Sequence, residues 1–428
     1  MGGASGAVKV RRTVGASRTR WEWLVIGGGI HGTNMALRLL ERGRIPREAL
    51  RIVDPNPTLL CEWRSLSART GMQHLRSPTV HNLGSSAWTL TEFARERAES
   101  LEEPVFVEPY DRPSLQVFNA HCDRLIRRAG LAGLHHQAEV QGVVAGPDEV
   151  RVALSTGEVL HASNVVLAVG AGGAPHWPSW APPGAPGLHH ATGPGRFSIS
   201  EGAESIAVIG GGLTACQLAL KLQREQHQVT LISRHALRVH QFDTDPGWLG
   251  PKYMQAFSME RSWSARREAI TRSRNRGSIP PDVHARLEES GLRPLHAEVI
   301  AMRRVASRWR LSLVSGAHLT VDRVVLATGL SPRRPGGVVV DRLVLEAGLP
   351  TAPCGFPIVD PALRWHPRIR VSGALAELEL GPSARNIAGA QRAADRVLVS
   401  LRGEGPARRH PQSRTRGEGS PVTSGHRA

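Results

Sequence analysis

The sequence predicts an α/β fold, and two observations carry that prediction. A short apolar strand, a glycine turn and an apolar-faced helix occur at residues 21–42 and again at 206–224, about 180 residues apart. After the second copy the chain adds one more strand, a Gly-Pro turn and a long helix, which suits a return to the first unit. Two Rossmann-like dinucleotide-binding units, the second inserted into the first, satisfy both.

Each element follows from local pattern. Residues 21–26 (WEWLVI) have the length and apolarity of a buried strand, and 30–42 place Ile30, Met35, Ala36, Leu39 and Leu40 on one helical face. Residues 50–54 form a second strand, closed by Pro55 and Pro57. Helical spacing recurs at 86–98 and at 114–129, the latter after Pro113 with Ser114 as N-cap. Residues 150–154 and 159–161 flank Thr156-Gly157 as a hairpin, and 165–169 form a buried strand ending at Gly170. The stretch 171–200, dense in Gly, Pro and His, reads as a linker. Strand, turn, helix and strand then repeat at 206–209, 210–212, 213–224 and 229–232. Residues 236–290, rich in Arg, Trp and Met, interrupt the pattern as an insert. Strands return at 309–314, 324–327 and 369–372, and a helix closes the fold from about 384 to 400. The expected organisation is a first domain over 21–199 completed by 331–401, and a second over 200–330. Basic, disordered segments flank them at 1–20 and 402–428.

Composition narrows the function classes. The chain has 428 residues, 40% apolar and 21% charged, enough for a sizeable core. No apolar run reaches the roughly 18 residues of a membrane span. Cys61, Cys122, Cys216 and Cys354 lie far apart, with neither a CxxC pair nor metal-ligand spacing. That pattern suits a reducing cytoplasm and buried small residues rather than redox thiols. No metal site is expected; His135-His136 and His189-His190 are adjacent pairs that converge poorly on one ion. Arg11-Arg12 resembles a twin-arginine start, but no apolar region follows it. The net charge of +17 is concentrated at the ends, and no aromatic-interleaved basic motif accompanies it, so nucleic-acid binding is not expected.

The chemistry sits in the glycine turns. Gly27-x-Gly29-x-x-Gly32 lies between a strand and a helix, the context that makes this spacing specific. Gly27 permits the tight turn, Gly29 lets a pyrophosphate approach the backbone, and Gly32 lets the helix pack on the strand. Asp54, at the end of the second strand, is placed to accept hydrogen bonds from ribose hydroxyls. The second turn, Gly210-x-Gly212-x-x-Ala215, has Ser233-Arg234 at the corresponding strand end and no acid. A hydroxyl and a guanidinium there, with Arg238 as a further candidate, favour a 2′-phosphate and hence NADPH over NADH.

With both turns in place, the sequence resembles the two-dinucleotide-binding-domain flavoproteins, and within them the class B flavin monooxygenases. Leu167-Ala168-Val169-Gly170 and Leu326-Ala327-Thr328-Gly329-Leu330 resemble the crossovers of that superfamily, which puts Thr328 and Gly329 among the cofactor-binding residues. Met72-Gln73, Leu75-Arg76 and Pro78 resemble a flavin-side segment of the ornithine and lysine N-hydroxylating monooxygenases, as does the insert beginning Phe242-Asp243-Thr244-Asp245. The likeness covers roughly residues 21–400. Two positions depart from it: the linker fingerprint survives only as Gly187-x-x-His190, followed by Ala191. The late Gly-Asp pair is Gly373-Ala374, with 381–386 as alternative backbone donors at a helix N-terminus.

The resemblance implies bound FAD, reduced by NADPH, with O₂ adding at the flavin C4a position and one oxygen passing to a small-molecule amine or other soft nucleophile. Gln73 and Arg76 are the expected catalytic residues beside the flavin, with His74 and His81 flanking them. Lys252 is the expected anchor for a substrate carboxylate. Trp177, Trp180, Trp248 and Trp263, with Tyr253, are the aromatic candidates for lining a pocket near the insert. The alternatives are an NAD(P)H-dependent flavin reductase and a non-catalytic nucleotide-binding flavoprotein.

Overall fold

A computed structural model of the chain describes residues 20–97, 104–170, 174–193 and 202–403. The basic ends, 1–19 and 404–428, lie outside the described residues.

The first sheet has the order Arg364–His366, Ile369–Val371, Val159–Leu167, Arg20–Ile26, Leu50–Asp54, His135–Gln137. Its centre is parallel, with Val25 opposite both Ile52 and Val166, and its side chains are buried on both faces. Val140–Ala145 and Val150–Leu154 join it antiparallel along Val159–Leu167, as the Thr156-Gly157 turn signal anticipates. The chain leaves this sheet after Leu167 and returns 200 residues later, where Val371 pairs with Leu167. That return makes the second unit an insertion.

The second sheet is parallel throughout, in the order Leu295–His296, Gln228–Ser233, Ser205–Ile209, Arg323–Leu326, Leu188–His190. Leu188–His190 falls within the stretch read as a linker. Three residues after Gly187 are too short to show periodicity, and pairing with Val324–Leu326 makes them a strand. A separate antiparallel sheet, Val299–Val305, Arg308–Leu313 and His318–Val321, precedes the last strand of this unit.

The helices expected near 30–42, 86–98, 114–129, 213–224 and 384–400 form, with one informative difference, and Cys61–Thr70 and Gly337–Glu346 are helices that the sequence pattern did not assign. Leu115–Ala129 is capped by Ser114, whose hydroxyl accepts from Val117 N at 3.3 Å, and it ends at left-handed Gly130. Ile30–Glu41 is buried almost all round rather than on one face. The final helix, Ile387–Gly403, packs along it, and residues 83–85 cover its polar side. There Asn34 Nδ2 donates to Leu83 O at 3.2 Å and Arg38 Nη1 to Ser85 O at 3.0 Å. Polar side chains at a buried surface are stable here because backbone carbonyls accept from them.

The insert consists of the two-residue strands Arg238–Val239 and Ser278–Ile279 and the helices Pro251–Met259, Trp263–Ser273 and Pro281–Glu289. Its aromatics build a small core of their own: Trp248 and Trp263 pack with Met254, Phe257 and Phe356, whereas Trp177 and Trp180 pack against the second sheet. The four tryptophans therefore line no common pocket. Burial of apolar ring area accounts for both groups.

Candidate active site

The first glycine turn is built by close packing on two sides and openness on the third. A Cβ at Gly27 would lie 2.3 Å from Ala168 O, and one at Gly32 would lie 1.7 Å from Gly27 O. One at Gly29 would meet nothing within 4 Å. Gly29 caps the helix Ile30–Glu41 with no side-chain bond and no acid in the first turn, so no side chain caps the orphan N–H groups there. Asp54 is held beside the turn: Oδ2 accepts from Gly28 N at 2.6 Å, while Oδ1 accepts from Asn56 N at 2.9 Å and Nδ2 at 2.8 Å. A carboxylate offers about four acceptor positions, which leaves one for a ribose hydroxyl.

His31, which the sequence reading did not single out, lies in the first turn of this helix. Its Nδ1 is 3.0 Å from Ser372 Oγ, and its ring stands 3.5 Å from where a Cβ on Gly373 would be. Burial pushes its pKa down to about 4, and its Nε2 is buried with no partner among the described residues. An orphaned polar atom beside an open glycine turn fits a polar group of a bound dinucleotide. The signal was available: a histidine inside the Gly-x-Gly-x-x-Gly spacing is directed by the turn itself. Ala374, where the resembled family has aspartate, is buried.

The second turn is roofed. A Cβ at Gly210 would lie 2.5 Å from Ala327 O, but one at Gly212 would press on Gly277 Cα at 3.2 Å. Ser233 is buried and donates its only hydroxyl proton to His235 O at 2.6 Å. Arg234 and Arg238 are exposed at this strand end. His235 turns its ring over the glycines, with Cε1 3.2 Å from where a Cβ on Gly211 would be.

Thr328 ties the crossover together. Its hydroxyl donates to His176 O at 2.5 Å and accepts from His190 Nε2 at 3.1 Å. His190 Nδ1 accepts from Thr192 N at 3.2 Å, which places the ring proton on Nε2. Burial brings the His190 pKa down to about 4. Gly329, in the left-handed region at φ 84°, has open space where a Cβ would stand.

The expected catalytic pair occupies the seam between the two units. Arg76 Nε donates to Gln241 O at 2.8 Å, and its Nη2 donates to His240 O at 2.6 Å and Ser278 Oγ at 2.8 Å. Gln73 Oε1 accepts from Arg286. These donors and acceptors hold the loop of residues 73–76 to the insert. His74 bonds to Pro104 O at 3.1 Å, and burial lowers the pKa of both His74 and His81. Lys252 is exposed, its Nζ 4.9 Å from the Tyr253 ring centroid, and its pKa is raised chiefly by Tyr253. It is not gathered with Gln73 or Arg76 by any contact.

On the opposite side the insert grips the returning part of the first domain. Arg266 Nη1 donates to Leu378 O at 3.0 Å and Glu379 Oε2 at 3.2 Å. Glu377, 1% exposed, pairs with Arg267 and accepts from Arg385 Nε at 2.7 Å. Sequence reading passed over Glu377, although an acid inside the apolar run 374–380 is a signal for a buried ion pair. Cys122 and Cys216 are buried and their thiols pushed up by desolvation, Cys216 to about 12. Among the described residues, no group of three His, Cys, Asp or Glu could hold a metal, and no helix is long and apolar enough to cross a membrane.

Known proteins locate this geometry. Residues 24–172 match an FAD-NAD(P)-binding family model, and residues 205–275 match a pyridine nucleotide-disulphide oxidoreductase model. Each match starts at a strand that leads into one of the glycine turns. The chain has the two-domain flavoprotein fold. The fold is shared with the ornithine N-hydroxylase of Kutzneria sp. 744, in a structure with reduced FAD, NADP⁺ and L-ornithine. That match has 18% identity and a TM-score of 0.70, over 90% of this chain and 99% of that one. L-lysine 6-monooxygenase from Pseudomonas syringae matches at 19% identity and a TM-score of 0.68, over 90% and 100%. The bacillithiol disulfide reductase of Bacillus cereus matches at 16% and 0.56, over 90% and 99%. No curated protein matches the chain by sequence. Within this two-domain flavoprotein fold, the open Gly29 turn belongs to the first unit and the roofed Gly212 turn to the second.

Proposed function

We propose that the protein is an FAD-dependent, NADPH-using monooxygenase that transfers one oxygen atom from O₂ to the nitrogen of a small amine, acting in the cytoplasm. The observation that carries this reading is the pair of glycine turns in one chain, each at a strand end and a helix N-terminus, with an insert bonded across both domains between them. Likeness to the N-hydroxylases over nine-tenths of the chain supports it.

In this reading Gly27, Gly29, Gly32 and Asp54 hold FAD, and Gly210, Gly212 and Ala215 receive NADPH, with Arg234 and Arg238 at its 2′-phosphate. Ser233 shapes that turn through His235 O rather than donating to phosphate. Thr328 holds the linker against the second sheet, and Gly329 leaves room beside it. Bound FAD supplies the oxygen-activating chemistry once NADPH has reduced it. Arg76 and Gln73 keep the flavin-side loop against the insert, which excludes water from the cleft. Lys252, exposed at the first turn of Pro251–Met259, would meet a substrate carboxylate entering from solvent.

The test is product counting. FAD-loaded protein supplied with NADPH, O₂ and a panel of amines should form hydroxylamine in proportion to NADPH consumed. NADPH consumption that yields only peroxide with every amine would instead leave a flavin reductase. The match to the disulphide oxidoreductase model favours that second reading, but the buried, un-ionised thiols of Cys122 and Cys216 argue against a dithiol partner for the flavin.

A further inference from the structure

The roof over the second glycine turn is residues 275–278, and it is firmly built. Ser278 N and Oγ donate to Asn275 O at 3.2 and 2.6 Å, and Asn275 N donates to Asp243 O at 2.7 Å. Asn275 Nδ2 donates to Phe242 O at 3.1 Å, and Arg76 adds its bond to Ser278 Oγ. Gly277, left-handed at φ 72°, brings the turn onto Gly212. All this fixes the position of the residue between them, Arg276.

Arg276 is exposed and makes no hydrogen bond or ion pair among the described residues. Partial loss of water lowers its basicity first, and then Arg274, Arg385 and Arg267 lower it further, against Glu377 alone. Those three arginines have already taken the local carboxylates. Arg274 is paired with Asp243 at 2.7 Å, and Arg267 and Arg385 share Glu377. In the part of the first domain that follows the insert, Arg385 Nη2 is buried with no acceptor. A guanidinium stays charged under such crowding, so the result is a positive site with donors on both domains and no anion of its own.

We propose that Arg276 and Arg385 bind an oxyanion across the interdomain cleft. The position of Gly277 on Gly212 assigns the anion to the pyrophosphate of the nicotinamide coenzyme, since that turn and the helix behind it are where the pyrophosphate docks. A carboxylate on the acceptor amine would offer the same planar oxygens to the same fork. The inference rests on the coenzyme reading above.

The test uses FAD-loaded protein and Arg276→Ala, a change at an exposed side chain with no bond to lose. Titration with NADPH, NADH and ADP-ribose should show all three weakened by about tenfold to a hundredfold, because they share the pyrophosphate. Arg276→Lys, which keeps the charge and loses the fork, should fall between. If coenzyme affinity holds while the KM for L-lysine rises and that for cadaverine does not, the anion is a carboxylate. Unchanged affinity for all three nucleotides, together with an unchanged KM for L-lysine, overturns the site. A wild-type protein that binds neither NADPH, NADH nor L-lysine overturns it as well, and is told apart because it removes the coenzyme reading before any variant is made.

Discussion

At the first glycine turn a side chain on Gly29 would meet no atom within 4 Å, whereas at the second a side chain on Gly212 would meet Gly277 at 3.2 Å. The first turn stands ready to hold a ligand without rearrangement. The second is covered by a turn that Arg76 fastens from the other domain, so a ligand there must share space with residues 275–278. The difference suits two kinds of residence: a flavin kept through many turnovers, and a nicotinamide coenzyme that arrives and leaves. Pre-organisation lowers the cost of holding the first.

Substitutions at the turns test this contrast most severely. Gly32→Val should abolish folded protein, because its Cβ alone overlaps Gly27 O; soluble, cooperatively melting Gly32→Val would contradict the packing. Gly29→Val should fold and melt like the wild-type apoprotein while losing FAD, read from the flavin absorbance of purified protein. Retention of full flavin content would show that the open space is not where the pyrophosphate sits. Arg234→Ala should reduce the NADPH/NADH preference by about tenfold to a hundredfold in flavin-reduction assays, the value of a charge-assisted bond to phosphate. A wild-type preference for NADH would remove Arg234 from that role. Asp54→Ala should weaken FAD binding by about tenfold, the ribose hydrogen bond being one among several, as measured by dissociation during gel filtration or by titration of apoprotein.

The smallest expected effect concerns pH. His31 stands beside the first turn and His190 beside the crossover of the second, and burial brings both to a pKa of about 4 from the ordinary 6.5. The unfolded chain therefore takes up their protons first as pH falls. Their contribution to stability is complete above about pH 6.5 and is lost progressively toward pH 4. Between pH 7 and 5.5 each ring should cost about 1 kcal/mol. His190→Asn should flatten the fall in Tm over that range; an unaltered pH profile would place the sensitivity elsewhere.

What was legible in the sequence was local. Glycine spacing, flanking apolar strands and the Asp54 offset are all set within a few tens of residues, and each is where the pattern put it. Ser114 as a cap and the break at Thr156-Gly157 belong to the same class. What escaped the reading depends on distant segments meeting. Gly277 lies 65 residues beyond Gly212, and nothing in either neighbourhood announces their contact. Arg76 has the same difficulty: nothing in its neighbourhood announces that its donors meet His240, Gln241 and Ser278, over 160 residues away. Leu188–His190 became a strand only because an edge was free for it.

The chain's preference for arginine over lysine has a consequence for the seam between the domains. Arg76 and Arg266 fasten it largely through backbone carbonyls, and Arg38 and Arg392 do the same around the first and last helices. A carbonyl is a dipole, so bonds to it are not attractions between two net charges, and they are screened less by mobile ions than surface ion pairs are. The joint is in this sense insulated from its medium. Concentrated salt that strips a phosphate-bearing coenzyme from the cleft should leave the two domains clasped around an empty site.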